Sequence, residues 1–518
     1  MRALVFHGYL LRGTGSNVYN ANLAAALLRL GHDVQLVCQE RHASELEFVG
    51  AVGDWDSGEL AVRRVGSAGC TVYRPDIAGL LPVYVQDRYE GVESRTFPEL
   101  SDEQLERYVE ANVRAVRDVV ARSRPDVALA NHLVMGPAIL ARALRGSGIP
   151  YAVKVHGSAL EYTVKPHPRF LQYAREGLAR AAQVLVGSRH VAESLWAALG
   201  DDSLPGRTRL GPPGVDTRRF RPREAAQAAA GLRRVAQRIS AAPGQAASAP
   251  EPAASEPESA FSRDHPATAT ALTALADAAG SGPLVGFVGK LLIAKGIDLL
   301  LLAWPLVLAA MPSARLAIIG FGAYRATVER LIDALAAGDL DTIEQLAGAD
   351  RLAFARDFLR RRADQRYLAA ARAVRDSVIL TGRLEHDELA EVLPLCEAIV
   401  VPSTFPEAFG MVAVEAAACG ALPISAEHSG LVEVSRALAQ HLPEQVRELA
   451  GFPLGPQAVD AIADRLTRWL QSPPELRAAT RAALVDAVAE RYSWEGVARG
   501  VIAAALGEND ALVTPLAG

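Results

Sequence analysis

Two carboxylates, Glu407 and Glu415, bracket residues 408–414 in Pro406-Glu407-Ala408-Phe409-Gly410-Met411-Val412-Ala413-Val414-Glu415-Ala416. Two cations, Lys290 and Lys295, lie in Val288-Gly289-Lys290-Leu291-Leu292-Ile293-Ala294-Lys295-Gly296. Ammonium groups beside glycines suit a pyrophosphate, whose charge they neutralise. His156, in Val155-His156-Gly157-Ser158, and the turn Gly13-Thr14-Gly15 complete the set. Glycines admit close backbone approach, and a helix start behind them favours an anion.

Each group needs an element to hold it. Residues 398–401 form an apolar run of strand length, and 411–419 are small and apolar with Gly420 as a stop, so strand, loop and helix are predicted. Glu407 then falls in the loop and Glu415 about two turns into the helix. Phe409, Gly410 and Met411 offer backbone N–H groups at the helix start, where phosphate binds well. Glu415 is too deep to cap the helix. Its apolar flanks turn it inward, where a buried carboxylate needs a partner such as a sugar or ribose hydroxyl. The lysines sit between a predicted strand, 284–288, and an apolar helix. His156 follows a strand at 151–155, where open α/β sheets bind ligands. Ser188 follows another at 184–186.

Pro402 to Gly420 resembles the E-x7-E element of retaining GT-B glycosyltransferases of family 4, P-S-x-x-x-E-x-F-G-x-x-x-x-E-A-x-A-x-G. Residues 289–296 resemble that family's G-R/K-x-x-x-x-K-G, with Lys290 where most members carry arginine. Lysine keeps the charge and loses the bidentate fork. The resemblance implies two Rossmann-like, doubly wound parallel-sheet domains facing a cleft. It also implies transfer of a sugar from a nucleotide-diphosphate donor, with retention at the anomeric carbon. Glycosidases that retain use two close carboxylates; in this family the departing phosphate takes the acceptor's proton. Glu407 is therefore assigned to donor-sugar hydroxyls, Glu415 to the ribose, and Lys290 and Lys295 to the leaving diphosphate. His156 is assigned to the donor sugar, Arg383 and Leu384 to the base, and Gly13, Gly15 and Ser188 to the donor phosphates and acceptor side. No cofactor or metal is required by this reading. The acceptor stays open: a glycan, a lipid or a small molecule. An epimerase or hydrolase of the same fold, or a non-catalytic nucleotide-sugar binder, stays open too.

Three other readings compete. Gly13-Thr14-Gly15, with Glu40 after the second strand, imitates a dinucleotide fingerprint, but Val18 stands where the third glycine belongs. Asp54-Trp55-Asp56 imitates a metal–diphosphate D-x-D and reads better as a surface turn. Gly214-Val215-Asp216 and Phe220 resemble the family's domain crossing and read as structural.

The chain has 518 residues, net charge −5 and four scattered cysteines. That length predicts more than one domain. The charge gives no footprint for nucleic acid, and the cysteines give no zinc or disulfide pattern. A cytoplasmic enzyme is expected. The apolar run 297–311, with Asp298 and Pro305, is short of the ~20 residues a membrane span needs, so a buried helix is predicted; loose association at the inner membrane face stays open.

Strands at 3–6, 34–38, 127–130, 151–155 and 184–186 alternate with helices, including a long one at 99–122, and predict an N-terminal parallel sheet over 1–222. Residues 223–282 form an Ala-, Pro-, Ser- and Glu-rich linker with helical flanks at 225–240 and 269–279. Alternation resumes over 283–490, with strands at 284–288, 316–319, 378–380, 399–401 and 422–424. An arginine-rich helical insertion interrupts it at about 325–375, with Arg356, Arg360, Arg361 and Arg362 on a solvated face. Residues 491–518 resemble the last helix of the family, which returns to the N-terminal domain.

Overall fold

The computed structural model describes residues 1–12, 15–84, 93–241, 263–346 and 353–515. Gly13 and the centre of the low-complexity segment, 242–262, lie outside the described residues. The chain divides into two units. Met1–Gly214 and Tyr492–Gly518 make the first, and the chain from Val215 to Arg491 makes the second.

The first unit is built on β1 (Arg2–Phe6), β2 (Asp33–Val37), β3 (Val49–Asp56), β4 (Glu59–Arg64) and β5 (Cys70–Arg74), then β6 (Leu80–Val83) and β7 (Glu93–Thr96), which pair apart from the rest. It continues with β8 (Val127–Asn131), β9 (Tyr151–Lys154), β10 (Val184–Val186) and β11 (Thr208–Leu210). The large sheet has the order β11-β10-β9-β8-β1-β2-β5-β3-β4. All its pairings are parallel except the β3–β4 hairpin. Leu4 and Phe6 enter one core and Ala3 and Val5 another. Alternate residues of a strand point to opposite faces, so this sheet is covered on both sides. Trp494 opens the helix Trp494–Leu506 in the second of these cores, against the Tyr19 ring.

Asp54-Trp55-Asp56 is not a turn. These residues end β3 and pair across to β4. The turn comes next, at Ser57 and Gly58, whose φ values of 51° and 89° suit a tight hairpin.

The second unit carries β12 (Leu284–Val288), β13 (Arg315–Ile319), β14 (Val378–Gly382), β15 (Cys396–Val401), β16 (Leu422–Ala426) and β17 (Gly451–Phe452). They form one parallel sheet in the order β14-β13-β12-β15-β16-β17. The order reverses between β12 and β15, which makes a switch point at their C-terminal ends. The apolar run after β12 is the helix Ile297–Ala310, buried almost all round, as a helix without a polar face must be. Among the described residues no helix is long and apolar enough to cross a membrane.

Residues 225–241 and 265–278 are both helical, as Ala225–Ala241 and His265–Ala278, and belong to the second unit. Residues 325–346 and 353–377 carry several helices that belong to this unit. Tyr367 donates its hydroxyl to Leu302 O at 2.9 Å, tying the insertion to the buried helix. Arg361 and Arg362 both reach Asp460, at 3.3 and 2.9 Å, so part of the arginine-rich face braces the helix Ala458–Leu470.

Candidate functional site

In the second unit the switch point brings two loops into contact. Lys295, after β12, is ion-paired with Glu407, after β15. Backbone joins the loops too: Thr404 N donates to Ala294 O at 2.9 Å. Gly296 lies beneath this seam with φ +66°, and a Cβ there would stand 2.0 Å from Pro402 O. Only glycine allows this approach.

Glu407 is held from three sides. Ser403 Oγ donates to its carboxylate at 2.6 Å, its own N–H donates to Ser429 Oγ at 2.8 Å, and its carbonyl accepts from Gly430 N at 2.9 Å. His428 locks this arrangement. Its Nε2 lies 2.6 Å from Ser403 O, which can only accept, so Nε2 carries the proton and Nδ1 accepts from Ser429 Oγ at 3.1 Å. Sequence reasoning passed over His428 and Ser429; nothing in their local pattern links them to residue 407.

Gly410 precedes the helix Met411–Ala418 with φ +129°. Phe409 is buried beside it, and Met411 opens the first turn half-buried. Glu415 is buried, 3% exposed, as the inward-facing reading requires. The partner found for it is a protein side chain: His386 Nε2 stands 2.8 Å from Glu415 Oε1. Burial works against charging the imidazole, but the Glu415 carboxylate outweighs it and raises the His386 pKa.

Lys290 and Arg383 each lie about 6.0 Å from the centre of the Phe321 ring, on the loops after β12, β14 and β13 respectively. Arg383 also pairs with Glu385 at 2.7 Å, and Leu384 is half-buried beside it. Leu291 N donates to Phe321 O at 2.7 Å and Gly320 N to Gly382 O at 3.0 Å, so these three loops form one ledge.

The first unit gathers a second polar cluster at strand ends. His7 follows β1, His132 follows β8 and His156 comes shortly after β9, three neighbouring strands. The ring centres of His7 and His132 are 5.7 Å apart, and those of His132 and His156 4.8 Å. His156 Nε2 faces Asn131 Oδ1 at 3.0 Å. The Asn131 amide nitrogen in turn donates to Phe6 O, which orients the amide. His7 is buried and accepts from Asn20 while facing Leu10 O and Asn17, each at 3.0 Å. Burial depresses the His7 pKa to about 4 and drives those of His132 and His156 well below the usual imidazole value. Both His132 nitrogens are buried without a hydrogen-bond partner among the described residues. Its neighbours Asn131 and Leu133 gave no sign of this. Lys154, under the Tyr19 ring, donates to Gly211 O, and burial lowers its pKa to about 7.

Gly15 opens the helix Gly15–Arg29. Ser188 is buried and its Oγ caps the helix Arg189–Leu199 at Val191 N. The imitations of other sites fail on their partners. Glu40 Oε2 accepts from Leu11 N and Oε1 from His42 N, at 2.9 and 3.0 Å, so it acts as a loop staple and not as a ribose acid. Asp54 is held by Arg74 through two hydrogen bonds, at 2.8 and 2.7 Å. Among the described residues no cluster of His, Cys, Asp and Glu has the geometry to hold a metal ion.

A family model described as "Glycosyl transferases group 1" matches residues 361–484, and one described as "Glycosyl transferase 4-like domain" matches 14–214. The chain is 29% identical over 224 residues to the D-inositol 3-phosphate glycosyltransferase of Segniliparus rotundus, a match covering 43% of this chain and 39% of that one. The chain thus spans well under half the length of that relative. Among solved structures it resembles sucrose-phosphate synthase from Thermosynechococcus elongatus, with TM-score 0.57, 19% identity and 96% of each chain covered. It also resembles HepE of Anabaena in complex with UDP and glucose, with TM-score 0.54, 16% identity, and 98% of this chain and 100% of that one covered. These likenesses establish a GT-B architecture.

Proposed function

The chain belongs to the group 1 glycosyltransferases of GT-B fold, and from that premise we propose that it moves a sugar from a nucleoside-diphosphate donor to a hydroxyl acceptor with retention at the anomeric carbon. The observation that carries this reading is the Lys295–Glu407 pair at the β12/β15 switch point. A cation for the diphosphate and a carboxylate for the sugar stand side by side where an open α/β sheet takes its ligand.

In this reading Lys290 and Lys295 stabilise charge on the departing diphosphate, and the backbone at Phe409, Gly410 and Met411 receives a phosphate at a helix start. Glu407 holds donor-sugar hydroxyls, Glu415 the ribose, and Arg383 and Leu384 the base. His156 is assigned to the sugar, and Gly13, Gly15 and Ser188 to the donor phosphates and acceptor. No base is required if the leaving phosphate takes the acceptor's proton, and no metal if the lysines carry the charge. The acceptor is a glycan, a lipid or a small molecule, and the reaction is assigned to the cytoplasm.

A thermal-shift screen of nucleotide sugars tests the donor half, since only a ligand of the native state raises the melting temperature. UDP-glucose is the first donor to try, because the Anabaena neighbour was solved with UDP and glucose. Product analysis with and without an acceptor then separates transfer from epimerisation or hydrolysis. A protein that no nucleotide sugar stabilises contradicts the reading.

A further inference from the structure

Glu415 is the most enclosed acidic group of the candidate site, and a carboxylate at that depth is tolerated only with a partner. His386 is that partner. It opens the helix His386–Val392 after β14, whereas Glu415 lies on the helix after β15, so the pair joins two helices that follow strands of the same sheet. The edge of the Phe220 ring meets the imidazole, with centres 5.3 Å apart at 75°, and restrains its plane.

The surrounding charges leave Glu415 as the direct counter-ion of His386. Arg219 and Asp387, the other charges acting on the ring, are paired with each other at 2.6 Å. Arg263 and Arg238 turn to Glu388, and Arg223 turns to Glu391. The ion pair is made through Oε1 of Glu415.

We propose that His386 is a positioning residue of the nucleotide site, holding Glu415 ionised and oriented so that Oε2 accepts from the vicinal hydroxyls of the donor's ribose. The inference rests on the nucleotide-sugar reading given above. It makes donor binding pH-dependent. His386 is charged below its raised pKa, so the ion pair is complete there and weakens to a neutral hydrogen bond as pH rises through that value.

Calorimetric titration of the full chain with UDP, GDP and ADP, and with the 2′,3′-dideoxy analogue of whichever binds, tests this. Wild type is expected to prefer the ribonucleotide and to lose affinity between pH 6 and 8.5. His386→Ala is expected to bind it about tenfold more weakly at pH 6, to lose the preference over the dideoxy form, and to raise the donor KM with little change in kcat. His386→Gln keeps a donor without the charge, so it should retain the ribose preference and flatten the pH dependence. A role confined to packing predicts neither the rescue nor the flattening. Parental affinity and ribose preference in His386→Ala, or an unchanged pH slope in His386→Gln, would overturn the inference while leaving the nucleotide-sugar reading intact. A wild type that binds none of the three nucleotides overturns both.

Discussion

The Lys295 ammonium and the Glu407 carboxylate form an ion pair between the loops that follow β12 and β15. An ammonium has three donors, so Lys295 can keep this partner and still offer hydrogens to a phosphate. The pair thereby sets the lysine's position before any ligand arrives, and preorganised charge of this kind is the largest usual contribution to transition-state stabilisation.

Replacing Lys295 by Ala should lower kcat by ~10²–10³. The side chain is one-third exposed and Glu407 one-quarter exposed, so both remain near solvent and the melting temperature should move little. Steady-state kinetics and a melting curve check this; a parental rate removes Lys295 from the mechanism.

Gly296→Ala should act through the backbone. A Cβ at φ +66° would meet Pro402 O, which is main chain and cannot swing aside. We expect a loss of at least ~2 kcal/mol of stability or a displaced seam with much reduced activity. A variant with wild-type melting and turnover would show that the two loops are not locked together.

The first unit should be sensitive to acid. The buried His7 has a pKa near 4, below the 6.5 of an unfolded chain. Between these values the unfolded state binds the proton and the folded state does not. Stability from this group is therefore complete above pH 6.5, falls as pH drops, and levels off near pH 4, by about 3 kcal/mol in all. NMR titration of the histidine ring signals should give His7 a midpoint near 4; a midpoint near 6.5 contradicts its burial.

Turnover should survive EDTA. Asp54 is engaged by Arg74, and the two lysines can carry the charge a metal would otherwise take. Loss of activity in EDTA with recovery in manganese or magnesium would reverse this expectation.

Much of the architecture was legible because it depends on local pattern. The run Leu284-Val285-Gly286-Phe287-Val288 is buried in a parallel sheet and shows no polar alternation to confuse it. The burial of Glu415 could be read from its small apolar neighbours. Its partner could not: His386 lies in Arg383-Leu384-Glu385-His386-Asp387-Glu388, which has the local chemistry of an exposed helix start, and only the packing of two distant helices sets it against Glu415. Glu40 misled in the opposite way. Its place after β2 imitates a ribose acid, but the loop after β1 folds back and spends the carboxylate on Leu11 and His42. The turn expected at Asp54–Asp56 slid to Ser57-Gly58 because left-handed backbone is easier there.

If Lys290 and Lys295 receive the diphosphate of a nucleotide donor, equilibrium binding should prefer UDP over UMP. If UDP is not the cognate nucleotide, GDP against GMP and ADP against AMP serve equally. Wild type should bind the diphosphate more tightly by at least tenfold, and Lys290→Ala/Lys295→Ala should erase that margin while binding the monophosphate nearly as before. A double variant that keeps the full preference would contradict the account.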